Sequence, residues 1–79
     1  MKFEVVVQLK ANVFNAEEKE LLSSISSFAH GIESVKVAKL FTIEVRKNSV
    51  NPEETVKEIA QSILTNSVIE TFSIRKIND

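Results

Sequence analysis

Residues 34–46 constrain the fold more than any other part of this sequence. Their alternate positions are apolar except for Lys39, and they comprise Val35, Val37, Phe41, Ile43 and Val45. Such alternation is typical of a β-strand with one dry face, because successive side chains of a strand point to opposite sides. The stretch therefore predicts strand structure with an apolar face towards a core.

The alternation keeps its phase across Lys39, which limits how the chain can turn there. A two-residue hairpin at Ala38 and Lys39 would move Phe41 and Ile43 to the wrong face. An odd-length hairpin centred on Lys39 keeps the phase, and so does a single long, bent strand. We favour the hairpin, because strands longer than about ten residues are uncommon.

The remaining sequence predicts two more strands and two helices. Alternation from Phe3 to Leu9 predicts a first strand, and residues 71–77 predict a last one. Asn15 is expected to cap the first helix, and Pro52 to occupy the first position of the second. Each helix carries an apolar stripe at helical spacing that is expected to face the core. The stripes are Leu21, Leu22, Ile25, Phe28 and Ala29 in the first helix, and Val56, Ile59, Ala60, Ile63 and Leu64 in the second.

This element order predicts a single α+β domain over residues 1–79. In the favoured two-layer βαββαβ arrangement, two helices cover one face of an antiparallel sheet. With one long, bent middle strand the order becomes βαβαβ. The opposite face is apolar enough to predict burial against a second copy, as a homodimer or a dimer of dimers. Its apolar members are Val6, Ala38, Leu40, Ile69 and Ile77.

Composition narrows the function classes. The chain has no cysteine and one histidine, so neither a disulfide nor a zinc site of its own is expected to stabilise so small a domain, which leaves oligomerisation. A net charge of −1, from 10 basic and 11 acidic residues, gives no basic patch for nucleic acid. Apolar runs are too short to cross a bilayer and the N-terminus lacks signal-peptide features, so we expect a cytoplasmic protein without membrane contact.

No residue pattern indicates catalysis, cofactor binding or metal binding. His30 is expected at the end of the first helix, where the helix dipole favours its cation, and no serine or cysteine close in sequence suggests a nucleophile. Glutamates near both helix starts complement the helix N-termini. Lys39 within an apolar face and Glu70 before the last strand are either turn and strand-edge charges or contacts for a partner.

Two segments resemble the small S subunit of phosphoribosylformylglycinamidine (FGAM) synthase. Residues 35–47 read VKVAKLFTIEVRK and residues 56–77 read VKEIAQSILTNSVIETFSIRKI. The family has a V-x-V-G-K segment and a helix ending in L-L-A-N-P-V-I-E. Ala38 and Ser67 replace its glycine and proline, and residues 13–16 replace its D-P-Q-G loop.

The resemblance implies a subunit of a C–N ligase that converts FGAR to FGAM in purine synthesis, with ATP and with glutamine as amido donor. The chain would have no activity alone, would bridge the glutaminase (PurQ) and synthetase (PurL) subunits, and would help ammonia pass between them. ATP and Mg²⁺ are expected on the large synthetase subunit.

Five residues of the two motifs are expected at or near subunit contacts. Lys39, Asn66 and Glu70 match family positions, and Val68 and Ile69 are expected to pack beneath them. Asn66 is equally well explained as a left-handed cap at the end of a helix.

Two other classes of protein are alternatives to this subunit. A small-molecule regulatory domain of the ACT type has the same order and also dimerises through its sheet. Such domains usually have a glycine between the first strand and first helix, and residues 11–16 contain none. A stand-alone enzyme is the third alternative.

Overall fold

A computed structural model describes residues 1–77 of the chain. Its elements are three strands and two helices, the second of which continues as a π-helical segment. They are β1 (Lys2–Leu9), α1 (Ala16–Phe28), β2 (Ala38–Glu44), α2 (Pro52–Ile59), the π segment (Ala60–Leu64) and β3 (Glu70–Ile77). The predicted α+β class, with an antiparallel sheet and two helices, is confirmed.

β1 is the central strand of the sheet, and β2 and β3 pair with it on either side, both antiparallel. Val5 lies opposite Phe41 in β2 and opposite Ile74 in β3. Phe3, Val5 and Val7 of β1 are buried, as their alternation predicts, because they face the second helical layer, and Leu9 is partly buried. One face of the sheet therefore carries the core residues of all three strands, whereas Val6, Leu40 and Ile77 lie on the opposite face.

The middle of the chain forms one strand rather than a hairpin. β2 has seven residues and begins at Ala38, whereas residues 32–37 contain no strand. The backbone N–H of Val37 donates to the Glu18 carboxylate at 2.6 Å, so a side chain supplies the acceptor that a neighbouring strand would have offered. The observed order is thus the second of the two alternatives, βαβαβ, and Lys39 lies within a strand.

α2 and its π extension form the second layer. Val56 and Ala60 are fully buried, and Leu64 packs against the same core. Ile63 is 74% exposed, so the prediction that it belongs to the stripe is wrong. A π turn bonds residue i to i+5 and rotates each side chain less than an α turn does. The wider turn therefore brings Leu64, and not Ile63, back to the core.

α1 lies apart from this core. Its N-cap is the predicted one, since Asn15 Oδ1 accepts the N–H of Glu18 at 3.2 Å. No residue of the helix is buried, Leu21 is exposed, and Phe28 is 94% exposed. The prediction that Leu21 and Phe28 face the core is wrong, because no residue of α1 packs against the core that β1 forms with the second helical layer.

The separation of α1 from the sheet makes the chain long and flat. Its principal extents are 51 × 29 × 13 Å and its radius of gyration is 16.0 Å. A compact chain of this length has a radius of gyration of about 12 Å. The core consequently consists of few residues, and those fully buried within the described range are Phe3, Val5, Val7, Val56 and Ala60.

We expect Val56→Ala to destabilise the fold by about 2 kcal/mol, because it leaves a cavity between α2 and β1. Ile63→Ala, in the same helical layer but exposed, should cost less than about 0.5 kcal/mol. Urea denaturation at two protein concentrations measures both values. An equal loss for the two variants that does not depend on protein concentration would contradict the placement of Ile63.

Candidate partner interface

Lys39 and Glu70 are far apart in sequence but lie at the same end of the sheet. Lys39 pairs with Val7 on one side of β1, and Glu70 pairs with Leu9 on the other. Val7 and Leu9 are two residues apart, so they and their cross-strand partners share one face, which is the core face. Antiparallel pairing thus brings the two charges together at the rim of the core.

Both charges line one cleft of about 200 Å³. Its lining combines the apolar Val7, Leu9 and Val37 with Glu17 from the first turn of α1. Within the described part of the chain, neither Lys39 nor Glu17 has an ion-pair partner within 4 Å. The cleft, called the Lys39 cleft below, therefore presents the ammonium of Lys39 and the carboxylate of Glu17 for binding to groups on another molecule.

Residues 66–70 form a closed turn that is held by their own hydrogen bonds. The carbonyl of Asn66 accepts the N–H of Glu70 at 2.7 Å and that of Ile69 at 3.1 Å. The side chains add two bonds, since Asn66 Oδ1 accepts the N–H of Val68 at 3.2 Å and Glu70 Oε1 accepts the N–H of Asn66 at 2.7 Å. This is an Asx turn closed by a carboxylate, and it explains an asparagine and a glutamate at this spacing.

Asn66 is not a left-handed cap, because Asn51 is the only non-glycine residue with positive φ in residues 1–77. Its function in the chain is to form the turn. The alternative of a left-handed cap for Asn66 is therefore excluded, while a contact with a partner stays a prediction.

The turn exposes its two apolar side chains. Val68 is 78% exposed and Ile69 is 38% exposed. The carbonyl of Ile69 accepts the N–H of Lys10 at 2.8 Å, which ties the turn to the end of β1. Within one chain Val68 therefore has little to pack against, and the predicted packing of Val68 and Ile69 at a subunit contact would need a second molecule.

The remaining sequence candidates give no further site near this cleft. His30 lies two residues beyond the end of α1 and is exposed. In residues 1–77 no three histidine, cysteine, aspartate or glutamate side chains are grouped so that they could hold a metal ion. None of the helices in that range has the length and apolarity needed to span a bilayer.

Sequence reasoning missed two glutamates of α1. The sequence explains Glu17 and Glu18 as complements to the helix N-terminus, and Glu18 also as the partner of Asn15 in a capping-box-like pair. In the structure Glu17 lines the Lys39 cleft and Glu18 binds the backbone of Val37. Both contacts depend on where α1 lies relative to β2. No local pattern reports that distance, so nothing in the sequence could have revealed them.

The chain has the fold of several solved structures and matches one protein family. Solved structures with the same fold include PurS from Methanocaldococcus jannaschii, described as one of the subunits of formylglycinamide ribonucleotide amidotransferase in the purine biosynthetic pathway. It is 26% identical, covers 98% of each chain and has a TM-score of 0.82.

Two further structures share the fold at lower identity. The PurS subunit of FGAM synthase from Thermotoga maritima is 23% identical, with 96% of this chain and 90% of that chain covered and a TM-score of 0.85. PurS from B. subtilis is 24% identical, with 94% of both chains covered and a TM-score of 0.80.

A search of curated protein sequences gives no match. The family model of PurS, phosphoribosylformylglycinamidine (FGAM) synthase, matches residues 2–78. The resemblance carried by the two sequence motifs is thereby confirmed over nearly the whole chain. The chain belongs to the PurS family, whose members are subunits of FGAM synthase, a ligase of purine biosynthesis.

Proposed function

We propose that this chain is a non-catalytic subunit of FGAM synthase that bridges the glutaminase (PurQ) and synthetase (PurL) subunits. In this proposal it assists the transfer of ammonia for the conversion of FGAR to FGAM, in the cytoplasm. ATP and Mg²⁺ bind to PurL and not to this chain. The observation that carries the proposal is a preformed, exposed contact surface, comprising the Lys39 cleft and the turn of residues 66–70, in a member of the PurS family.

The surface area of the chain supports assembly. It exposes 6227 Å² to solvent, whereas a compact monomer of this mass exposes about 4,800 Å². The excess of about 1,400 Å² is larger than the roughly 800 Å² that each partner contributes to a standard protein interface. A chain with this much surplus surface is expected to bury it in an oligomer.

The chemistry of that surface supports a second copy as one occupant. Large apolar side chains are exposed on α1 and its flanks, among them Phe14, Leu21, Phe28 and Ile32. α1 does not pack against the core of its own chain. The sheet of an identical chain could therefore bind this helix while the two chains exchange the same contact, as two-fold symmetry requires. We therefore include a homodimer, or a dimer of dimers, in the proposal.

The Lys39 cleft and the turn of residues 66–70 support contacts with unlike subunits. The turn is rigid before binding, since four hydrogen bonds close it, and a preformed surface loses less conformational entropy on association. The exposed Val68 supplies an apolar contact beside the charges of the cleft. An apolar centre with charged neighbours is the usual anatomy of a protein interface.

We expect the wild-type chain to sediment as a dimer or larger oligomer at high protein concentration. Phe28→Ser should weaken self-association about tenfold or more, because it removes a large apolar contact from α1. Ser26→Ala, on the same helix, should leave it unchanged. A wild-type chain that sediments as a monomer at every concentration would overturn this part of the proposal.

We expect the chain to co-purify with PurQ and PurL when glutamine and nucleotide are present. The three together should convert FGAR to FGAM with glutamine, and the isolated chain should show no turnover. Activity assays with glutamine, and separately with ammonium salt, distinguish assembly from chemistry. Full glutamine-dependent turnover by PurQ and PurL without this chain would exclude the bridging role.

We expect Lys39→Glu to lower the affinity of the three-subunit complex about tenfold or more, because it reverses a contact charge. Glu70→Gln keeps an acceptor for the N–H of Asn66 and removes only the charge. This variant therefore distinguishes the role of Glu70 in closing the turn from a role of its charge in binding a partner. Lys57→Glu and Glu58→Gln, both on the exposed side of α2, are matched controls. If Lys39→Glu and Glu70→Gln leave assembly and glutamine-dependent turnover unchanged, these residues are not contacts.

A further inference from the structure

The position of α1 relative to the sheet is not explained by core packing. None of its residues is buried, and none belongs to the apolar core or packs against it. Nevertheless the helix occupies a defined place beside the segment that enters β2. Within residues 1–77, Glu18 is the one α1 residue whose side chain makes polar contacts with the segment that enters β2.

The geometry of that link is specific. Glu18 Oε2 accepts the backbone N–H of Val37 at 2.6 Å, and Glu18 Oε1 lies 3.9 Å from Lys36 Nζ. The Glu18 side chain is 18% exposed. Its backbone is held as well, because its N–H donates to Asn15 Oδ1. Glu18 is thus fixed at both ends, to the first turn of α1 and to the residue before β2.

We propose that Glu18 is a positioning residue that fixes the direction of α1, so that its apolar face is presented to a second copy of this chain. This inference rests on the homo-oligomer in the proposed function. A helix without buried contacts that is also unlinked would sample many directions, and ordering it on association costs free energy. The link removes part of that cost before the second copy binds.

The hydrogen bond, and not the ion pair, is the effective part of the link. A charged acceptor at 2.6 Å from an amide nitrogen is a short, strong hydrogen bond. Lys36 is 72% exposed and its ammonium is 3.9 Å away, and exposed pairs of this kind contribute little. A glutamine at position 18 retains the acceptor oxygen and loses only the charge, so it should preserve most of the positioning.

Two measurements on the full chain test the inference. Amide hydrogen exchange by NMR reports the Val37 N–H, and sedimentation equilibrium reports the dissociation constant of the dimer. The variants are Glu18→Ala, Glu18→Gln and, as a matched control, Glu20→Ala on the same helix. Circular dichroism of each variant checks that α1 stays folded, so that a change in the other two measurements reports the link and not the loss of the helix.

In the wild-type chain, the Val37 amide should exchange about tenfold or more slowly than the amides of Val35 and Lys36, which have no acceptor within residues 1–77. Glu18→Ala should remove this protection and raise the dimer dissociation constant about tenfold. Glu18→Gln and Glu20→Ala should stay close to wild type in both measurements.

The results separate this inference from the proposed function. A wild-type chain that never dimerises overturns the homo-oligomer, yet the exchange of Val37 still reports whether the link forms. An unprotected Val37 amide in the wild type overturns the link. Wild-type affinity in Glu18→Ala, with Val37 protection lost, overturns the positioning role while leaving the homo-oligomer intact.

Discussion

The packing of β1 against α2 is the interaction on which the rest of the structure depends. Val5, at the centre of β1, has a strand on either side, and it shares one core with Val56 of α2 and Ala60 of the π segment. Removing apolar area from water stabilises by about 25 cal/mol per Å², and among residues 1–77 all the fully buried side chains lie in this contact. α1 lies outside this contact and is linked through Glu18 to the segment that enters β2, and the turn of residues 66–70 is joined to the end of β1 by the hydrogen bond from Lys10 to Ile69.

The strands could be predicted from the sequence because alternation is a local property. Val5 and its odd-numbered neighbours in β1 follow period two, and each is buried as that pattern requires. The apolar stripe of α1 is an equally local property, yet the pattern does not indicate which surface the stripe packs against. Phe28 satisfies the helical spacing and is exposed, because burial depends on a neighbour that the pattern cannot specify. The prediction for Ile63 is wrong for another reason. Helical periodicity assumes α-helical winding, whereas Ala60–Leu64 form a wider π turn.

The candidate interface could be predicted in part. The sequence singles out Lys39 because it is a charged residue at a position where the alternation predicts an apolar one. It singles out Glu70 because this residue ends the V-I-E motif before the last strand. Neither signal shows that the two residues line one cleft. Their proximity follows from the register of both strands with β1. Glu17 and Glu18 could not be assigned, because their contacts cross from a helix to a segment about 20 residues away in sequence.

The small number of fully buried side chains has a consequence for the cell. A fold with so thin an interior is marginal by itself, and any partner that binds only the folded form raises its stability by mass action. Chains made in excess of their partners would unfold more often and be degraded by proteases sooner. Subunit stoichiometry would then be corrected after synthesis, through the lifetime of the unassembled chain, without a dedicated regulatory site.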